Sequence, residues 1–365
     1  MCICVIIINF RDNFMAQTVL VICGGKSVEH EISLLSAEFV VKTLLAMHYK
    51  VEVIFIDNAG LWYLQKNSLS DTTNKGYIVP VESGVAFVNA LTKDLEYLDI
   101  DLVFPIMHGY FGEDGIVQGI VASLNLPCVG PSVLSAAVTF DKDITKRLLK
   151  DAGIKVVDYE VIYKLEQIPL EKIEANFGYP CFVKPAQSGS SIGIFKAKNR
   201  QELVAAIGAA FQYDLKVIVE RFVSAREIEC GVIGNVDAVV SLPGELITDH
   251  EFYTFNAKYL QTENLKIKLA DNLSTETLAA IQELAAKAFR ALSCRGMARV
   301  DFFVTTTDIF INEINSVPGF TKDSMFPKIW QMSGVPVVEL FERLMQYAQD
   351  VFNKEQALLR ARVIK

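Results

Sequence analysis

Short apolar runs and longer stretches of helical spacing alternate along the first third of the chain. Residues 18–22 read as a strand, apolar after Thr18, and lead through Cys23 into a glycine pair. Leu34, Ala37, Val41, Leu44 and Leu45 then recur at a helical period, which predicts a helix opened by Ser33 or by the acidic residues before it. Residues 51–57 read as a second strand and residues 60–97 as a small hairpin elaboration. Residues 101–108 read as a third buried strand, ending at His108 and followed by a glycine-rich loop and a short helix. Strand, helix, strand in this order predicts an open parallel sheet closing near Ser132.

Further on, a helix begins at Lys142. Residues 181–185 and 192–197 are strands framing a glycine- and serine-rich loop. Residues 199–211 form a helix with Leu203, Ala206 and Ile207 inward, and residues 216–223, 226–234 and 238–246 are strand-like. Ser274 caps a helix whose Leu278, Ile281, Ala285, Phe289 and Leu292 make one apolar face. The last helix spans residues 337–352.

Residues 297–325 carry the densest chemistry. Two strands joined by a turn at residues 305–308 put Arg299 and Asp301 on one face, and Glu313 and Asn315 likewise. Val300, Phe302, Phe310 and Ile314 fall on the opposite face. Two carboxylates and an amide make a hard oxygen cluster suited to magnesium, with an arginine beside it. An edge hairpin with a solvated polar face is the alternative. The Pro318-Gly319-Phe320 turn and Ser324 look like the wall of a pocket.

Other residues stand out singly. Glu31 lies at the first strand-to-helix junction, where open sheets place ligands, although an acid at a helix N-terminus needs no ligand to explain it. His108, at a strand end beside three glycines and two acids, reads as a ligand or positioning group rather than a core histidine. Lys184 lies inside an apolar strand, and the loop after it can fold over phosphates, with backbone N–H groups and serines as donors. Between residues 246 and 266 the chain is polar and aromatic without a convincing helix. This predicts a lid or binding loop, with Lys258 and Tyr259 its best candidates to reach a ligand and His250 loop surface.

The glycine turn after the first strand lacks Gly-x-Gly-x-x-Gly, which argues against a dinucleotide site, and no phosphate loop of the Gly-x-x-x-x-Gly-Lys type is present. With 365 residues and a net charge of -8, the chain is long enough for two or three domains and has no basic nucleic-acid footprint. Seven cysteines, odd in number and mostly in apolar runs, fit reduced thiols of a cytoplasmic enzyme. Cys2 and Cys4 have no second pair with which to make a zinc site. The apolar opening is too short to span a bilayer and lacks a basic start. Met15, just before the first strand, is the expected natural start.

Together the motifs GGKSVEHEIS, HGYFGEDGIVQG, FVKPAQSGSSIG, NAKY, ARVDFF and NEINSVPGFTKDSMFP, in this order and spacing, resemble the D-alanine–D-alanine ligases of the ATP-grasp superfamily. The resemblance runs from Gln17 to about Asp350. It implies an α/β, three-domain ATP-grasp architecture: an N-terminal open parallel sheet domain at 15–132 that binds substrate, a central lid domain at 133–222 and a C-terminal catalytic domain at 223–365.

The same resemblance implies ATP between the last two domains. Lys142 and Lys184 would contact phosphates, Ser188, Ser190 and Ser191 would belong to the covering loop, and Glu220 and Arg221 would lie near adenine. Glu227 would take the ribose hydroxyls. Asp301, Glu313 and Asn315 would hold two magnesium ions, with manganese able to substitute. Glu31 would pair with the ammonium group of the first D-alanine, with His108 beside it, and Ser190 or Ser191 would help connect the N-terminal domain to the lid and the site. Lys258 and Tyr259 would belong to the closing loop. Arg299, Gly319, Ser324 and Met325 would surround the second D-alanine, Arg299 also stabilising the tetrahedral oxygen.

The implied reaction is ligation of two D-alanines through a D-alanyl phosphate, releasing ADP and phosphate, for peptidoglycan precursors. A homodimer in the cytoplasm, with no nucleic-acid or membrane partner, is also implied. The chain departs from the family pattern at Ser188, often Glu, and at Val317, often Thr. Alternatives are a D-serine or D-lactate second substrate, another ATP-grasp carboxylate–amine ligase, a nucleotide-binding regulatory protein on the same fold, and a Rossmann dehydrogenase.

Overall fold

Every residue of strand β1 (Thr18–Gly24) is buried, and a strand without an exposed face belongs inside a sheet. The computed structural model, which describes residues 17–66, 70–82, 84–247 and 266–363, places β1 between β2 (Lys50–Ile56) and β7 (Leu102–Pro105), parallel to both. The expectations for Met15 and the segment before it, and for His250, Lys258 and Tyr259, lie outside the described residues. Strands β3 (Trp62–Leu64), β4 (Lys75–Val81), β5 (Gly84–Asn89) and β6 (Leu95–Leu98) extend the sheet antiparallel, in the order β6-β5-β4-β3-β2-β1-β7. The open parallel sheet is thus parallel only at its centre, and the expected hairpin elaboration is its antiparallel wing.

Helix α1 (His30–Ala46) opens at Glu29 rather than Ser33. The face it buries is also rotated from the one that its large residues suggest. Ile32, Ser33, Ser36, Ala37, Val40 and Leu44 are buried, whereas Leu45 is exposed. Small residues bring the helix close to the sheet. Ser33 Oγ accepts from Gly24 N at 2.8 Å and donates to Ile106 O at 2.6 Å, fastening α1 to β1 and to the end of β7. Helix α2 (Ile116–Ser123) packs on the other side of this sheet through Val117 and Val121.

Helix α3 (Val133–Phe140), capped by Ser132, leads into α4 (Lys142–Asp151). Asp141 caps α4 by accepting from Asp143 N and Ile144 N, both at 3.1 Å, worth about 1 kcal/mol. A second sheet of β8 (Tyr159–Tyr163), β9 (Cys181–Pro185), β10 (Phe195–Ala197) and β11 (Lys216–Arg221), ordered β10-β9-β11-β8, is backed by α5 (Leu170–Phe177) and α6 (Arg200–Ala210).

The third sheet is built from β12 (Arg226–Gly234), β13 (Val239–Val240), β14 (Gly244–Ile247), β15 (Lys266–Leu269), β16 (Gly296–Val304) and β17 (Ile309–Asn315). Helix α7 (Thr275–Ala291) covers it, burying Ile281, Ala285 and Phe289 on Val232 and Val300. A fully buried side chain the size of Ile281 or Phe289 contributes about 2 kcal/mol. Helices α8 (Met325–Met332) and α9 (Val337–Val363) then return to the first sheet, where Phe320 and Phe341 pack on Phe104. Helix α9 runs past the expected end at Phe352.

A β-bulge interrupts the β16–β17 pairing. Asp301 opposes Glu313, but Phe302 opposes Ile311, so Asn312 is the extra residue. One inserted residue exchanges the faces of the strand before it. Ile311 therefore enters the core, and Phe310, expected there, is only half-buried. Among the described residues Cys23, Cys128, Cys181, Cys230 and Cys294 are free thiols, and no helix is long and apolar enough to cross a membrane.

Candidate active site

A cavity of about 640 Å³ lies where α1, the loop after β9 and the third sheet meet. Glu29, His108, Glu113, Gly189, Ser190, Glu229, Arg299, Glu313, Asn315, Gly319, Ser324 and Met325 all line it. Its wall near Met325 is apolar, completed by Leu246, Ile267 and Val317.

The third sheet supplies the charged floor. Arg299 donates from Nε and Nη2 to the two carboxylate oxygens of Asp301 at 2.8 and 2.7 Å, and Nε also lies 2.8 Å from Glu229 Oε2. Asn315 Nδ2 donates to Asp301 at 3.0 Å. Burial alone would lower the Arg299 pKa, but Asp301 and Glu229 outweigh it and hold the guanidinium well above its ordinary value. The face sharing read from the strand period thus brings Arg299, Asp301, Glu313 and Asn315 together. Glu229 was missed, although the alternation Glu227, Ile228, Glu229 on β12 carries the signal: Glu229 pairs with Asp301 across the sheet.

Strand β9 and helix α4 supply the cations. Lys184 Nζ lies 2.5 Å from Glu220 Oε2, and Lys146 Nζ lies 2.8 Å from Oε1 of the same carboxylate. Lys184 also reaches Asn312 Oδ1 at 3.4 Å, and Lys142 donates to the carbonyl of Ser188 in the loop. Burial alone would raise the Glu220 carboxyl, yet the two lysines outweigh it and draw it down to about 2. Burial pushes the Lys142 and Lys146 ammonium groups down. These residues adjoin the cavity behind Glu313 rather than lining it. Lys146 was not anticipated; it follows Lys142 by one helical turn, so both project from the same side of α4.

Glu31 does not reach the site: it is exposed in the first turn of α1. Glu29 is 5% exposed and accepts the hydroxyl of Ser190. It is flanked by two glycines that leave no room for a side chain. A Cβ at Gly109 would lie 2.6 Å from Glu29 Oε2 and one at Gly189 2.9 Å from it. His108, 3% exposed, shares a hydrogen bond of 3.0 Å between Nε2 and Ser36 Oγ, and its Nδ1 is 3.7 Å from Glu113 Oε1.

Of the loop serines, Ser188 Oγ donates to Ile192 O at 2.8 Å, while Ser190 and Ser191 both adopt positive φ. Arg221 ends β11, half-buried, with its backbone N donating to Asp158 O at 3.0 Å. Glu227 is exposed on β12. Ser324 precedes α8 and its Oγ meets Thr321 Oγ1 at 2.7 Å. A Cβ at Gly319 would sit 3.1 Å from Ser324 Oγ.

A lysine-bearing hairpin sheet facing a carboxylate-bearing sheet beside a third, nucleotide-fold-like sheet is the architecture of the ATP-grasp enzymes. Two family models match the chain: one described as D-ala D-ala ligase N-terminus over residues 18–131, the other as D-ala D-ala ligase C-terminus over residues 148–346. The chain is 41% identical over 366 residues to the D-alanine–D-alanine ligase of Oceanobacillus iheyensis, covering 95% of this chain and 99% of that one. It is 42% identical over 353 residues to the same enzyme of Clostridium novyi, at 93% and 100% coverage.

Among solved structures, the D-alanine–D-alanine ligase from Coxiella burnetii superposes with a TM-score of 0.83 at 37% identity, covering 96% of this chain and 100% of that one. The D-Ala:D-Ser ligase from Enterococcus faecalis superposes with a TM-score of 0.79 at 33% identity, covering 91% and 99%. The chain belongs to the D-alanine–D-alanine ligase family and is an ATP-dependent carboxylate–amine ligase.

Proposed function

We propose that the cavity holds the two D-alanines in line with ATP, and that the chain joins them into D-alanyl-D-alanine for peptidoglycan synthesis. The observation that carries this reading is the meeting of three elements at one cavity. The carboxylate–arginine floor, the lysine cluster and the Glu29–Ser190 contact together supply a partner for each charged part of the reactants.

The ammonium of the first D-alanine pairs with Glu29, in place of Glu31, which lies two residues on and faces solvent. His108, fixed by Ser36, lies beside that substrate. Lys142 and Lys184 neutralise the phosphates under the loop carrying Ser188, Ser190 and Ser191. The Glu220 carboxylate is spent on lysines, so the adenine contact falls to the backbone ending at Arg221, and Glu227 takes the ribose. A carboxylate oxygen of the first D-alanine bonds to the γ-phosphorus and ADP leaves. The amine of the second D-alanine, once it has given up a proton, then attacks the acyl carbon; the C–O bond to the phosphoryl group breaks and phosphate departs. Arg299 stabilises the oxygen that becomes negative in that attack. Ser324 and the N-terminus of α8 receive the carboxylate of the second substrate, with Gly319 leaving it room.

Asp301, Glu313 and the carbonyl oxygen of Asn315 fit magnesium or manganese. The donors are hard oxygens, too few to fill a coordination shell without water and substrate oxygens. Among the described residues no three of His, Cys, Asp and Glu gather as a self-sufficient cage. When bound, two such ions would offset charge on the transferring phosphoryl group.

A D-serine second substrate is the other reading, since one structural relative is a D-Ala:D-Ser ligase. Among the described residues Leu246, Ile267 and Met325 form an apolar wall, which favours D-alanine. We further propose three domains at 15–132, 133–222 and 223–365, a homodimer, and residence in the cytoplasm.

The test is phosphate release with ATP, magnesium and single D-amino acids, with product mass. D-Alanyl-D-alanine formed in step with phosphate supports the reading. A D-alanyl-D-serine product would move the second-substrate assignment. ATP binding without amino-acid-dependent phosphate release would replace the enzyme by a nucleotide-binding protein.

A further inference from the structure

Glu220 and Lys184 lie on the same face of the second sheet, since Lys184 pairs with Ile218 and Phe182 with Glu220. Lys146 reaches the carboxylate from α4, so one buried acid holds two cations, one on each oxygen. The two cations differ in freedom. The Lys146 side chain is 1% exposed, and its ammonium lies 5.7 Å from the centre of the Tyr159 ring. The Lys184 side chain is 10% exposed and already within reach of Asn312, the neighbour of Glu313.

We infer that Lys146 is the permanent counter-ion of Glu220, and that its presence lets Lys184 leave that carboxylate for the phosphates of the nucleotide. This inference rests on the proposed nucleotide site. If Lys184 were the sole partner, each binding event would strand a buried carboxylate, and its desolvation cost would be subtracted from nucleotide affinity. With Lys146 in place the exchange is cheap: Glu220 keeps one cation, and Lys184 trades one anion for another. Lys146 is thus a positioning residue that sets phosphate affinity without touching phosphate.

The experiment measures ADP and adenosine binding to the full chain by calorimetry, without metal. Adenosine has no phosphates to draw Lys184 away, so it reports the nucleoside pocket alone. Lys146→Met should weaken ADP at least tenfold and adenosine less than threefold. In a Glu220→Gln background, where no buried carboxylate remains to be stranded when Lys184 leaves, the same substitution should change ADP binding less than threefold.

Equal losses for ADP and adenosine would mean a structural role and overturn the inference, as would ADP binding by Lys146→Met within twofold of wild type. Failure of the unsubstituted chain to bind either ligand would instead remove the nucleotide site, and the inference with it. If Lys146→Met alone does not fold, Lys146→Met/Glu220→Gln, which removes both charges, is compared with Glu220→Gln. A further tenfold loss of ADP binding in that pair would overturn the inference, and a change under threefold supports it.

Discussion

Ser190 donates its hydroxyl to Glu29 across 161 positions of sequence. The bond joins the tip of the loop after β9 to the turn between β1 and α1, so the loop is anchored to the first sheet. In the proposed function one carboxylate, that of Glu29, both pairs with the substrate ammonium and fixes the loop through Ser190. Glu29→Gln keeps the shape and removes the charge. Its kcat/KM for D-alanine should fall about a hundredfold, near 3 kcal/mol, while Glu31→Gln stays within about twofold. Steady-state rates of the two variants side by side check this, and the reverse ranking would restore Glu31.

Arg299 is held between Asp301 and Glu229 at 2.7 to 2.8 Å, so its guanidinium is aimed before substrate arrives. Arg299→Ala should lower kcat about a hundred- to a thousandfold, the usual cost of an oxyanion donor. ADP affinity should change little. Because two buried carboxylates lose their shared cation, Tm should drop as well, which calorimetry would register. A variant with normal turnover would remove Arg299 from the chemistry.

Chelation tests the oxygen cluster. Adding EDTA should stop turnover of the wild-type chain, and excess magnesium should restore it. In Glu313→Ala the same magnesium should leave activity at least about a hundredfold down. Full recovery in the variant would show that Glu313 is not a ligand.

The Glu220 carboxyl, held at about 2 against an ordinary value of 4.5, makes an acid-labile contribution to stability. Between those two values the unfolded chain binds the proton that the folded chain refuses, so stability falls as pH falls through this window and is intact above it. Urea unfolding at a series of acidic pH values should show this decline, and Glu220→Gln should flatten it. An unchanged slope in the variant would assign the acid limb to other carboxyls.

The β16–β17 hairpin was legible because a strand has a strict period of two, and two carboxylates, an amide and an arginine at alternate positions declare a common face. The same rule misplaced Phe310 by one, since nothing in residues 309–315 announces the extra residue at Asn312. Glu29 and Glu31 pose a different difficulty. They stand two apart at a helix start, so the helix phase decides which one faces the site. That phase is set by Ser33, Ser36 and Ala37 packing close to the sheet, whereas periodicity is read from the larger leucines and valines. Lys146 and Glu229 were hidden because each acts through a partner brought from a distant strand.

The cover of the first sheet comes from the far end of the chain. Phe104 packs on Phe320 and Phe341, and Leu344, Met345 and Ala348 join the same interior as Val19 and Val21. Helix α1 covers part of this face early in synthesis, but the part around Phe104 must wait until residues 320–348 are made. An early strand is thus sealed by a late helix, and a stop codon before residue 341 would leave Phe104 without its Phe341 partner.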